Sequence, residues 1–242
     1  MQHSADPFVR RVRHELKLRD LTVARIERLG DGFAAITFTG DALADFTSLS
    51  FDDHVKFMFP DADGEQVRRD YTPRRFSREA LELTIEFALH GDGKASDWAR
   101  NAVVGQRALV GGPKGSMIVP LELDWHLLTG DATALPAIAR RLEELPGGSR
   151  AIVLVHAAPA DRRVLRSGAD VDLRWFDTPE ALVADLQALA PPPGRGFAWG
   201  GGEASMMARV RQVLNQQGVP REATRVSAYW KQGVAEHHEN LE

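Results

Sequence analysis

The sequence predicts an N-terminal antiparallel β-barrel fused to a C-terminal α/β half built on a parallel sheet. Between residues 21 and 90, short apolar runs are broken at close intervals by Gly, Asp and Pro, as in a barrel or sandwich. Beyond residue 125, strand-like runs alternate with helix-period stretches, as in a parallel sheet covered by helices. The chain has 242 residues, enough for one large domain or two small ones.

In the first half, Leu21–Leu29 alternates and reaches Gly30-Asp31-Gly32. Phe33–Thr39 follows and closes at Gly40-Asp41, and His54–Phe59 is a β-like run stopped by Pro60. Arg68–Phe76 and Leu81–His90 continue the series. Ser96–Val103 reads as a short helix and Gln106–Val110 as a last strand before Gly111-Gly112-Pro113. In the second half, Trp125–Thr129 is a short strand, followed by Leu135, Ile138, Leu142 and Leu145 at helical spacing. Ala151–Val155 is continuously apolar, as a strand covered on both faces should be. Val171–Phe176 is another strand. Thr178-Pro179-Glu180 then opens a helix with a capping hydroxyl, a proline in the first turn and an early acid. Phe197–Trp199 reads as a strand, Gly200-Gly201-Gly202 as a loop, Glu203–Leu214 as a helix and Arg225–Trp230 as a final strand. The division between halves falls near Leu121–Asp124, giving expected domains 1–122 and 123–242.

Composition narrows the function classes. Hydrophobic residues make up 43% and charged residues 26%, ordinary for a globular protein. A net charge of −4 gives no electrostatic case for nucleic acid. The absence of cysteine excludes disulfides, thiolate metal sites, cysteine-ligated clusters and a cysteine nucleophile. No apolar run is long enough to span a membrane, and the polar N-terminus is not a secretory signal, so a cytoplasmic address is expected. The final Leu-Glu reads as a cloning scar. His237 and His238 read as a polar tail, and no histidine is assigned to a metal.

Four segments carry possible chemistry. In Arg69-Asp70-Tyr71-Thr72-Pro73-Arg74, a phenol face could stack on a flat ring, Thr72 could bond to it, and Arg69 and Arg74 suit phosphate. The same residues also suit an edge strand with solvated arginines. His90-Gly91-Asp92-Gly93-Lys94-Ala95-Ser96 precedes a helix, whose free N–H groups suit a pyrophosphate; a plain loop with Ser96 as cap fits equally. Thr129-Gly130-Asp131-Ala132-Thr133 and Gly200-Gly201-Gly202-Glu203-Ala204 lie at strand ends of the α/β half, where open sheets bind ligands. The glycine fingerprint of the usual dinucleotide turn is absent, and ordinary connections remain the alternative for both.

Taken in order, these segments resemble the siderophore-interacting proteins, flavin-dependent ferric-siderophore reductases related to ferredoxin reductases. The resemblance runs from about Arg19 to Gly233. Its pieces are Asp52-Asp53-His54-Val55-Lys56, Arg69-x-Tyr71-Thr72-x-Arg74, His90-Gly91-x-Gly93-x-Ala95-Ser96-x-Trp98-Ala99 and Gly112-Pro113-x-Gly115-Ser116. Gly130-Asp131-x-Thr133-Ala134-Leu135-Pro136, Gly202-Glu203-Ala204 and Tyr229-Trp230-Lys231-x-Gly233 complete it. The resemblance implies a ferredoxin–NADP reductase-like fold and FAD held by Arg69, Tyr71, Thr72 and Arg74. It implies flavin or phosphate contacts from Glu86, Ala88, His90, Ala95 and Ser96. Thr133 would lie near the junction of the halves, with Asp131, Glu203, Ala204 and Trp230 toward the nicotinamide. Where the family has proline this chain has Lys94, an added charge beside the expected pyrophosphate.

The implied reaction reduces a ferric siderophore with electrons from NADPH or NADH, needing no nucleophile or general-base triad. Lys56, Lys231 and Arg100, with Arg107 a weaker choice, are the expected contacts to an anionic ferric complex; solvated surface cations are the alternative. Ala151–Val155 ends at His156, not at an acid that would bond the ribose 2′-hydroxyl, and Arg162-Arg163 follow shortly, which favours the 2′-phosphate of NADPH. A ferredoxin is a second donor class. The rival readings are a general NAD(P)H flavin or ferric-chelate reductase and a non-catalytic flavin or siderophore carrier.

Overall fold

The computed structural model describes residues 8–61, 63–89, 93–233 and 239–241. His90, Gly91, Asp92, His237 and His238 lie outside the described residues.

The N-terminal half is one antiparallel sheet of seven strands: β2 (Leu18–Leu29), β3 (Phe33–Thr39), β4 (Val55–Pro60), β5 (Gln66–Tyr71), β6 (Pro73–Ser77), β7 (Glu82–Ala88) and β8 (Arg107–Gly111). Their order, β5-β4-β8-β2-β3-β7-β6, makes the two edge strands consecutive in sequence. The sheet therefore curls into a barrel-like shell with Thr72 at its corner. The expected single strand Arg68–Phe76 is two strands, because the chain turns at Thr72-Pro73 and proline has no N–H for a continued ladder. A short pair, β1 (Arg10–Arg13) with β9 (Gly115–Ile118), lies outside this sheet.

β3 explains its unbroken apolar run by serving two cores. Ala34, Ile36 and Phe38 face the barrel interior, whereas Phe33 faces the α/β half. The barrel is plugged by α1 (Lys94–Asn101), whose Trp98 ring lies 4.7 Å from Phe57 and 5.8 Å from Phe87. Phe38, Phe57 and Phe87 are fully buried, each contributing about 1.5–3 kcal/mol.

The C-terminal half is a sheet ordered β12-β11-β10-β13-β14-β15. Its strands are β10 (Trp125–Asp131), β11 (Arg150–His156), β12 (Asp170–Phe176), β13 (Gly196–Glu203), β14 (Thr224–Trp230) and β15 (Glu239–Leu241). The first five are parallel; β15 adds antiparallel to β14. Leu241 pairs with Val226, so the terminal Leu-Glu read as a scar begins with a residue of the sheet. On the face away from the barrel pack α3 (Pro179–Ala188) and α4 (Ala204–Gln216). Thr178 caps α3 by accepting from Ala181 N–H, as its sequence predicts.

The face toward the barrel carries α2 (Leu135–Glu144), but no helix joins β11 to β12. A 3₁₀ turn at Pro159–Asp161 and a loop make that crossover instead. Barrel residues Phe33 and Phe51 join Trp199, Leu128 and Ile138 in the core between the halves. Gly200-Gly201-Gly202 is strand, not loop: parallel pairing to β10 and β14 carries the ladder through it. Glycine is needed here by crowding. A Cβ on Gly130 would lie 2.2 Å from the Gly201 carbonyl oxygen, and one on Gly202, at φ 149°, would lie 2.7 Å from the Asp131 carboxylate.

Candidate cofactor and substrate site

On the barrel side the site begins where β5 turns into β6. Tyr71 is half-buried, with its ring 4.4 Å from Phe87 and edge-on to Phe57 at 6.0 Å. The barrel core thus fixes the ring while part of it stays accessible. Arg69 and Thr72 beside it are half-buried. Lys56 reaches across the ladder to Asp70 at 2.7 Å. The second Asp70 oxygen, Oδ1, is buried and has no hydrogen-bond partner among the described residues.

The start of α1 follows from the end of β7. Ser96 Oγ donates to the Ala88 carbonyl at 2.9 Å, tying the helix to the strand. Ala95 and Ser96 are buried, and the N-cap Gly93 supplies no side-chain cap. Gly93, as N-cap, has no side chain to occupy the first-turn N–H groups, an arrangement suited to phosphate. Lys94, expected to add charge beside a pyrophosphate, pairs with Asp61 at 2.6 Å. Arg100 bonds to Asp97 and the Leu89 carbonyl, and Arg107 pairs with Asp20.

On the α/β side, Asp131 ends β10 and is 6% exposed. Its Oδ1 accepts from Thr133 N–H at 2.9 Å and the Thr133 hydroxyl at 2.5 Å. Its Oδ2 accepts from Glu203 N–H at 2.7 Å and Trp230 Nε1 at 2.8 Å. Glu203 caps α4 by accepting from Ser205 and Met206 N–H at 2.7 and 3.1 Å. Burial opposes its charge, yet the bonds from Ser205, Met206 and Gln232 outweigh burial and hold the carboxyl below its ordinary value. One carboxylate therefore joins the first, fourth and fifth sequential strands of this sheet, bringing Thr133, Glu203, Ala204 and Trp230 together. Lys231 follows Trp230 at the surface.

The two sides meet. Burial, then the charges of Asp52, Asp131 and Asp70, push the Tyr229 phenol well above its ordinary value, although Arg225 opposes them. Asp70 belongs to the barrel and Asp131 to the α/β sheet. Asp52, from the loop before β4, accepts from Trp199 Nε1 at 2.8 Å and pairs with Arg225. Asp53, 3% exposed, accepts from Ser48 and Ser116 hydroxyls at 2.8 and 2.6 Å. Asp52 thus ties the halves together, whereas Asp53 anchors its loop within the N-terminal half.

Arg74 and Glu86 are not brought to the Tyr71 ring. β-strand alternation sends Leu83, Ile85 and Phe87 into the barrel and Glu86 to the opposite face. There Glu86 pairs with Arg163 and, at 3.1 Å, with Arg74. Arg74, 5% exposed, also makes a fork to Glu143 on α2 at 2.6 and 2.8 Å. A cleft of about 550 Å³ opens beside this cluster, lined by Arg25, Thr37, Arg75, Thr84 and Arg166 among others.

The residues present suit a flavin dinucleotide: a fixed, partly open aromatic ring at Tyr71 and a nearby helix start whose N-cap is glycine. Fold and site together define a two-part flavin- and nicotinamide-dependent reductase of the ferredoxin-reductase-like class. A family model described as siderophore-interacting protein matches residues 123–233. A second, the siderophore-interacting FAD-binding domain, matches residues 22–68 and 61–117. The chain belongs to the siderophore-interacting protein family. It is 32% identical to the NADPH-dependent ferric-chelate reductase of Escherichia coli K12, over 92% of this chain and 96% of that protein. It is 27% identical to a ferric vibriobactin reductase of Vibrio cholerae, over 91% of this chain and 93% of the relative. A siderophore utilization protein from T. fusca superposes with a TM-score of 0.87 at 33% identity, covering 95% of this chain and 98% of that one.

Proposed function

We propose that this protein reduces ferric siderophores, using bound FAD and electrons from NADPH. The observation that carries this reading is the half-buried Tyr71 ring at the corner of a barrel that Asp52 ties to the α/β sheet through Trp199, whose strand β13 ends at the Asp131 hub. FAD, when bound, accepts a hydride and passes on single electrons, coupling a two-electron donor to Fe(III). The chain's own tasks are to grip and to exclude water. Tyr71 and Thr72 hold the ring, and the glycine-capped start of α1 holds phosphate with Arg69 nearby. Asp131 fixes Trp230 and the start of α4 on the nicotinamide side. Reduction weakens hard-oxygen ligation of iron and releases it from the siderophore.

In this reading residues 1–122 serve the flavin and 123–242 the nicotinamide, in a cytoplasmic protein. No described helix is long and apolar enough to cross a membrane. Lys56 and Lys231 are the chosen contacts for an anionic complex; Lys56 would exchange its partner Asp70 for substrate. The preference for NADPH rests on His156, the last residue of β11, and Arg162, just past the 3₁₀ turn that follows it. Arg163 is withdrawn from that role by Glu86, and Arg162 faces Asp177, an acid that sequence reading passed over.

The test is anaerobic mixing with NADPH, with NADH and reduced ferredoxin as comparison donors. Bleaching of the flavin band near ~450 nm is expected, fastest with NADPH, and re-oxidation by a ferric siderophore faster than by a simple ferric chelate. A flavoprotein that no donor bleaches is a carrier. Equal re-oxidation by both iron complexes makes it a general ferric-chelate reductase.

A further inference from the structure

α2 connects the two candidate cofactor sites. Its N-terminal end follows Asp131–Thr133, and its ten residues run about 15 Å along the seam. Leu135, Ile138 and Leu142 are fully buried against the α/β sheet, so the helix is fixed on that side. Its other side is clasped to β6, the strand that continues from Tyr71 and Thr72. Arg140, 8% exposed, donates to the Pro73 carbonyl at 2.9 Å and to the Ser48 hydroxyl at 2.8 Å. Glu143 accepts the Arg74 fork and a further bond from Arg75 at 3.0 Å. Arg74 leans on Glu86, which Arg163 holds from the loop that replaces a crossover helix. The polar contacts thus grip the strand next to the ring, whereas the apolar contacts hold the helix to its own sheet.

We propose that Glu143 and Arg140 are positioning residues for electron transfer between the halves, setting the spacing of the Asp131–Thr133 end of α2 from the Tyr71–Thr72 corner. This rests on the reductase reading above. Transfer between two bound groups depends steeply on approach, and a misplacement of about 1 Å can slow a reaction about 100-fold. Glu143 is 30% exposed on the last turn of α2, outside the apolar core, so its loss separates positioning from folding.

The test compares wild type with Glu143→Gln, which keeps shape without charge, and Glu143→Asp, which keeps charge. Stopped-flow anaerobic reduction with NADPH should show the limiting rate of Glu143→Gln falling about tenfold. Half-saturating NADPH and FAD content should stay within about twofold, and Glu143→Asp should recover most of the rate. In flavin-free protein, hydrogen exchange of residues 71–77 should rise about tenfold in Glu143→Gln, with β10 and β11 unchanged. Bleaching of wild type with equal rates and equal exchange in Glu143→Gln overturns this inference alone. A rate loss matched by lost FAD, or by faster exchange throughout the chain, overturns it in favour of a structural role. Failure of wild type to bleach overturns the reductase reading, and this inference with it.

Discussion

Replacing Asp131 by asparagine should unsettle the α/β half in a way that can be worked through atom by atom. The carboxylate accepts four hydrogen bonds from three segments while only 6% exposed. Asparagine keeps one acceptor oxygen and turns the other into a donor. The amide group goes toward Thr133, because that hydroxyl can rotate and accept, whereas Glu203 N–H and Trp230 Nε1–H cannot. Thr133 N–H then faces a donor and is left unpaired. One charged hydrogen bond is lost and the others become neutral, a destabilisation of about 2–3 kcal/mol. For a chain of this size that lowers the unfolding midpoint by about 4–12 °C. Alanine leaves all four donors without a partner and should lower it further. Circular dichroism melting gives the midpoint. An Asp131→Asn protein that melts with wild type would refute the hub.

Two further outcomes follow from the same structure. Burial, assisted by Arg141, lowers the His126 imidazole to about 4. The unfolded chain therefore takes up a proton that the folded chain refuses, and stability falls as pH drops from about 6.5 to about 4, then levels. The loss should reach about 3 kcal/mol at most, and denaturant melts should show a flatter pH slope in His126→Gln. Lys56→Ala and Lys231→Ala should each raise the apparent KM for an anionic ferric chelate without releasing FAD; an unchanged KM in both ends their assignment as substrate contacts.

Much of the architecture was legible because local signals and tertiary structure agreed. Phe33–Thr39 has turn residues at both ends and is the observed strand. Thr178 carries a cap that needs no distant partner. Elements that depend on a distant partner were not legible. Arg10–Arg13 has no apolar alternation and is a strand only because Gly115–Ile118 pairs with it. The three glycines of β13 look like a loop until neighbouring strands and a carboxylate crowd them. In the candidate site, Tyr71 and Thr72 were visible through their order among other motifs, not through residue type alone. Arg140 and Glu143 gave no signal, since helical charges read as solvated and their partners lie some 70 residues away on the barrel. Arg74 was read as a phosphate ligand because nothing local shows that its neighbour across the seam is an acid.

The bare crossover between β11 and β12 carries a further consequence. An open α/β sheet ordinarily brings its own cover for both faces. Here one face is roofed partly by a foreign shell, through Phe33, Phe51 and the loop carrying Asp52. Cutting the chain near residue 122 would uncover Phe197 and Trp199, so the nicotinamide portion should not be obtainable as a well-behaved fragment. Chimeras that exchange one portion between relatives must carry the matching roof with them.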